Sequence, residues 1–199
     1  MKKIMFNDKY GLTNYVLQKH KELTRRLLKN QTGNLTGYIQ YTKPGSTSIY
    51  VRADFDNGLH EDCPYAIGEI VAVGQCYADI HSELMIGDFD DGRYDSFKNA
   101  VVHDKAGWYN KMFVRADLMP HQIRITSVRP ERLQDITDED CMKEGVRFIE
   151  NSDGYFSNGM SDEYTTPISA FTALIDKISG RGTWERNPFV WRIEFKLMK

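Results

Sequence analysis

Residues 14–30 read NYVLQKHKELTRRLLKN, and where this stretch is divided decides what fold the chain can build. Tyr15, Val16, Leu17, Leu23, Leu27 and Leu28 give a roughly helical apolar rhythm among good helix formers, which predicts a helix over about 12–29. A second division is open: Thr24 and Arg26 also alternate as they would on an emerging strand. Within this stretch KHKELTRR (19–26) packs five basic or potentially basic side chains and one hydroxyl into eight residues. That pattern suits a solvated helix end, a patch for phosphate, or a nucleophile beside its base.

Outward from it, KKIMF (2–6) reads as a short strand, and TGYIQYT (36–42) and SIYVRADF (48–55) read as a hairpin turned at Pro44-Gly45. FDNGLHEDCP (55–64) is a polar loop, and YAIGEIVAVGQCY (65–77) gives a turn at Gly68-Glu69 followed by a buried strand. Residues 78–110 are acidic and weakly periodic, and read as a surface insertion with at most a short helix. At their centre DFDDG (88–92) resembles part of a calcium loop but lacks the full acidic ladder and closing Glu, so it reads as a solvated loop. KMFVRADLM (111–119) and HQIRITSVRPERL (121–133) read as strands separated by Pro120. ITDEDCMKEGV (136–146) is a compact helix with Thr137 as N-cap, Asp140 at the capping-box position and Gly145 at its end. After a loop at 151–166, PISAFTALIDKISG (167–180) is a helix begun by Pro and ended by Gly, and FVWRIEFKL (189–197) is an alternating strand. About seven strands and three helices that do not strictly alternate imply an α+β fold, a mixed β-barrel with flanking short helices.

A chain of 199 residues, 41% hydrophobic and 27% charged, suits one globular domain. Its net charge of −2 excludes coating nucleic acid by bulk electrostatics, so any such role rests on a local patch. MKKIMFNDKYGL (1–12) holds no apolar run long enough for a signal peptide and no segment reaches the length of a membrane span, which implies a cytoplasmic protein. Cys63, Cys76 and Cys141 read as three reduced thiols. The sequence has no Walker loop, dinucleotide fingerprint, His-Glu-x-x-His or Gly-x-Ser-x-Gly motif. Its five histidines lack metal-ligand spacing, His60 with Cys63 being the nearest approach, so neither a cofactor nor a metal is expected.

Four stretches in order carry a family likeness: Lys21-x-x-Thr24-x-Arg26 after an N-terminal helix, YAIGEIVAV, ITSVRPERLQDITDEDCMKEG and WERNPFVWRIEF. Together they resemble the ASCH domain family, whose fold is a PUA-like β-barrel. The resemblance covers residues 1–30, 65–77, 112–150 and 166–197, implying one domain over 1–199 with insertions at about 31–64 and 78–110. Lys19 stands where the family usually has glycine, and Glu22 where a threonine is common. The resemblance implies binding of RNA or a modified nucleoside. One branch, the small bacterial acetylcytidine amidohydrolases, uses a Lys, a Thr and a Glu, which carry over to Lys21, Thr24 and Glu144, with Arg26 as the matching basic residue.

The chemistry of these residue types fits. A threonine hydroxyl attacks only when a base takes its proton, and a lysine serves if its pKa is lowered. Arg25 and Arg26 would push it down, while Glu144 would pull it up or protonate the leaving amine. Arg25 and Arg26 are also candidate ligand contacts, because guanidinium forks select anions and base edges. Trp184, between Arg181 and Arg186, is the candidate cleft-wall aromatic, whereas Trp191 reads as core. Each has a plainer reading: a solvated helix end for Lys21 and Thr24, a surface carboxylate for Glu144. The functional reading expects Lys21, Thr24 and Glu144 to be partly exposed in a cleft, for RNA or nucleoside binding or alternatively for hydrolysis of an acylated nucleoside.

Overall fold

The computed structural model describes residues 1–86, 93–150, 152, 154–157 and 159–198, so the solvated loop expected at DFDDG (88–92) lies outside the described residues. In chain order the elements are β1 (Lys3–Ile4), α1 (Leu12–Leu17), β2 (Leu23–Leu27), β3 (Leu35–Thr42), β4 (Ile49–Phe55), β5 (His60–Asp62), β6 (Ile70–Val73) and α2 (Tyr77–Ile86). Then follow α3 (Arg93–Val101), β7 (Gln122–Arg132), α4 (Asp138–Lys143), β8 (Val146–Ile149), β9 (Gly154–Ser157), α5 (Pro167–Ser179), α6 (Thr183–Arg186) and β10 (Phe189–Leu197). The architecture is mixed α+β, with ten strands and six α-helices among the described residues instead of about seven and three. Those strands lie in open sheets and close into no barrel. No described helix is long and apolar enough to cross a membrane.

The opening stretch is divided early. α1 stops at Leu17, and Lys19 takes a left-handed turn with φ +60°. Backbone N–H groups of His20 and Lys21 both return to the Tyr15 carbonyl, at 2.8 and 3.1 Å. The chain then enters β2, antiparallel to β10, with Thr24 opposite Ile193, Arg25 opposite Arg192 and Arg26 opposite Trp191. The helix expected to reach residue 29 is therefore a short helix, a turn and a strand. Pairing with an apolar partner strand overrides the helix propensity of Leu, Lys and Arg.

The chain divides into two compact units. The larger comprises 7–69 and 124–197. In it β7, β10 and β2 are successive neighbours, β3, β4 and β5 form a second sheet, and β8 and β9 a hairpin. The β3–β4 turn contains Gly45 at φ +74°, as the Pro-Gly pair implies, while the supposed polar loop at 55–64 supplies the edge strand β5. α5 begins on Pro167, ends before Gly180, and sets Ala170, Phe171 and Ile175 against Leu133, Ile136, Cys141 and Val190.

The smaller unit comprises 1–6, 70–123 and 198–199, with β1 parallel to β6. Residues 78–110 are more than a surface insertion. Tyr77, Ile80 and Leu84 from α2 meet Phe97 and Val101 from α3 in a core cluster that also takes Val114 and Met119. Residues 111–119 form no strand. The Lys3 ammonium instead takes the carbonyls of Lys111, Met112 and Val114 at 3.1, 2.6 and 2.8 Å, satisfying groups that a ladder would otherwise use.

Candidate functional site

β2 carries side chains to both faces of its sheet, and the two faces have different surroundings. Arg25 and its cross-strand neighbour Arg192 share one face. α4 delivers Asp140 to both. Arg25 Nη2 reaches Asp140 Oδ2 at 2.6 Å, while Arg192 makes a fork through Nη2 to Oδ1 at 2.6 Å and Nε to Oδ2 at 2.9 Å. Arg25 also donates through Nε and Nη2 to Glu131 Oε1, at 2.9 and 2.7 Å, and through Nη1 to Glu144 Oε1 at 3.4 Å. Lys21, two residues before β2, donates to the Glu144 carboxylate and, at 2.8 Å, to its backbone carbonyl.

This is a buried ionic network of three cations (Lys21, Arg25, Arg192) and three anions (Glu131, Asp140, Glu144). Arg129 joins at its edge through Glu131 at 3.0 Å, and Glu194 through Arg192 at 2.5 Å. Balanced charge with directed hydrogen bonds is the condition under which such a cluster is tolerated in a low-dielectric interior.

Its electrostatics follow from that burial. Desolvation pushes the Lys21 ammonium below its usual pKa, more than Glu144 pulls it up, and Arg26 and Arg25 push the same way. Desolvation would raise the Asp140 carboxyl, but hydrogen bonds from Arg192 and Arg25 outweigh it and bring it from 3.8 down to about 2. Burial also lowers Arg25, yet Glu144, Glu131 and Asp140 more than offset this and its guanidinium is held charged. Burial pushes the nearby Cys141 thiol up to about 12, so it is inert as a nucleophile.

The expected site residues are brought together in part. Lys21, Arg25 and Glu144 meet directly, across 123 residues between Lys21 and Glu144. Thr24 and Arg26 alternate to the other face of β2. There Arg26 is half-buried, and its pKa is lowered chiefly by desolvation, against pulls from Tyr65 and Glu144. The hydrogen bonds of the Lys21 ammonium among the described residues go to Glu144 and none to Thr24. The expectation of partial exposure also fails: Lys21, Thr24 and Glu144 are only 2, 6 and 4% exposed. Trp184 is separate, on α6, edge-on to Phe171 at 6.5 Å between ring centroids within the α5 core cluster. Trp191 is core, as expected, at 1% exposure.

No family model, curated protein or solved structure matches the chain.

Three residues of the network escaped the sequence reading. Asp140 looked like a capping-box carboxylate; Thr137 does cap α4, accepting from the Asp140 N–H at 3.2 Å, but the Asp140 side chain goes to the two arginines. Arg192 sits inside an apolar alternating strand, and a charge there is itself a sign that a buried partner exists. Glu131, two residues from Arg129 on β7, left only the weaker sign of opposite charges on one strand face. Among the described residues, no three His, Cys, Asp or Glu side chains are grouped to hold a metal ion.

Proposed function

We propose that this chain is an ASCH-type protein with a PUA-like core that binds RNA or a modified nucleoside around Lys21, Thr24, Arg26 and Glu144. The observation that carries this reading is the buried Lys21–Glu144 ion pair. Nothing in spacing linked those two residues; only the family resemblance did, and they are in direct contact. Lys19 adds support: its φ of +60° is a conformation glycine adopts freely, and glycine is what the family usually has there. Arg26, on the other face of β2 but within electrostatic reach of both Lys21 and Glu144, supplies a cation suited to a phosphate or a base edge.

The test is calorimetric titration with a short single-stranded RNA and with N4-acetylcytidine at two salt concentrations. Binding that falls with salt for the RNA, and weakens in Arg26→Ala, supports the reading. Absence of binding to both ligands at millimolar concentration overturns it.

The lowered Lys21 pKa favours a second reading, hydrolysis of an acylated nucleoside. The Thr24 hydroxyl would attack the acyl carbonyl, and its proton would pass through an intervening water to neutral Lys21, since the two side chains share no hydrogen bond. The nucleoside amine would leave with a proton relayed through Glu144, and water would then cleave the acyl-threonine. Turnover should rise with pH below 10.5 as the lysine deprotonates, and Thr24→Ala should abolish it. Turnover by Thr24→Ala would exclude Thr24 as the nucleophile.

A further inference from the structure

Beside the ion pair lies a cavity of about 390 Å³ lined by Tyr15, Arg147, Phe148, Ile149, Glu150 and Phe156. That volume is within the usual range of small-ligand sites, roughly 300–1,000 Å³. Its walls come from α1 and from one hairpin, where Arg147 stands opposite Phe156. The Arg147 guanidinium lies 5.9 Å from the centre of the Tyr15 ring. Phe148 and Ile149 remain 43% exposed, beside a guanidinium and a carboxylate.

Tyr15 physically joins this cavity to the ion pair. Its carbonyl accepts the Lys21 N–H at 3.1 Å, and its ring lies so close to Gly145 that a Cβ there would be 2.9 Å from Tyr15 Cδ2 and 3.9 Å from Lys21 Cβ. Gly145, at φ +105°, directly follows Glu144. Tyr15 thus holds the backbone on both sides of the Lys21–Glu144 contact, through its carbonyl at Lys21 and its ring at Gly145.

Aromatic faces, one guanidinium and one carboxylate in a single recess match the base and the phosphate of a nucleotide. The rings accept a stacked base, Arg147 a phosphate, and Glu150 a hydrogen bond from an exocyclic amine. Resting on the function proposed above, we infer that this recess is the subsite for the neighbouring nucleotide of an RNA strand, preferring cytidine or adenosine. The partner of the Lys21–Glu144 site is then a polynucleotide and not a free nucleoside.

The test compares cytidine hexamer, uridine hexamer and free cytidine by fluorescence anisotropy and calorimetry on the full chain. Wild type is expected to bind the cytidine hexamer more tightly than free cytidine and more tightly than the uridine hexamer. Tyr15→Leu should weaken hexamer binding roughly 5- to 150-fold, the range for one lost base stack. Arg147→Ala, an exposed change that leaves folding intact, should reduce the salt slope by about one and leave free cytidine binding unchanged. Glu150→Gln should reduce the preference for cytidine over uridine. Undiminished hexamer binding by both Tyr15→Leu and Arg147→Ala, or a wild type that binds cytidine as tightly as the hexamer, overturns the subsite and spares the parent reading. A wild type that binds neither hexamer nor nucleoside overturns both.

Discussion

Arg25 and Arg192 stand directly opposite each other on β2 and β10, and both guanidiniums close on the single carboxylate of Asp140. Like charges in facing positions of a sheet repel, and Asp140 is the one carboxylate that both arginines share, with Glu131 and Glu144 also on Arg25 and Glu194 on Arg192. Asp140→Ala would leave two buried cations facing each other and is expected to cost about 3–5 kcal/mol. Denaturant unfolding at neutral pH measures it, and a change below about 0.5 kcal/mol, the level of ordinary surface substitutions, would show the carboxylate to be dispensable.

Acid should attack the same point. The Asp140 carboxyl has a folded pKa of about 2 against an ordinary 3.8, so the unfolded chain binds the proton more readily. Its stabilisation is complete above the ordinary value and is lost as pH falls through 3.8 towards 2. Thermal melts from pH 6 down to pH 2 should show this loss in the wild type. Asp140→Asn should have a flatter acid limb, and parallel limbs for the two proteins would contradict the assignment.

Lys19→Gly should stabilise the protein. A left-handed conformation costs a residue with a Cβ about 1–2 kcal/mol, while glycine's extra freedom in the unfolded chain takes back about 0.4–1. The expected net gain is about 0.5–1 kcal/mol, read as a raised melting temperature. A fall would mean that the Lys19 side chain contributes more than its backbone conformation costs.

Lys21 and Glu144 should couple strongly. Lys21→Met and Glu144→Leu each strand a buried partner and are expected to cost about 3–5 kcal/mol, whereas the double variant should cost clearly less than their sum. Additive losses in the double-mutant cycle would mean that the pair is not energetically joined.

Much of the architecture was legible because its signals were local. Pro167 and Gly180 bracket α5, the Pro44-Gly45 turn closes β3 on β4, and the alternation of 189–197 is β10. What failed depended on distant partners. Leu23 to Leu27 have helix-forming side chains, and only β10 makes them a strand. Lys3 replaces the ladder partners of 111–114, which no window around those residues reveals. The helices within 78–110 were legible in principle, since Tyr77, Ile80 and Leu84 keep helical spacing, but the acidic, glycine-bearing sequence between them masked the rhythm. At the candidate site no local pattern joins Lys21 to Glu144, which meet only in the folded chain, whereas the strand's two-residue alternation, once known, separates Thr24 from Arg25.

The 123-residue gap between Lys21 and Glu144 has a consequence for biosynthesis. Ribosomes add about 5–20 residues per second, so Lys21 and Arg25 emerge roughly 6–25 s before Glu144 does. β10, the strand that β2 pairs with, is made later still. Throughout that interval the nascent chain presents a short basic segment with neither its acidic partners nor its neighbouring strand. The Lys21–Glu144 ion pair and the β2–β10 ladder are thus among the last features to form, and an intact pair reports a finished polypeptide.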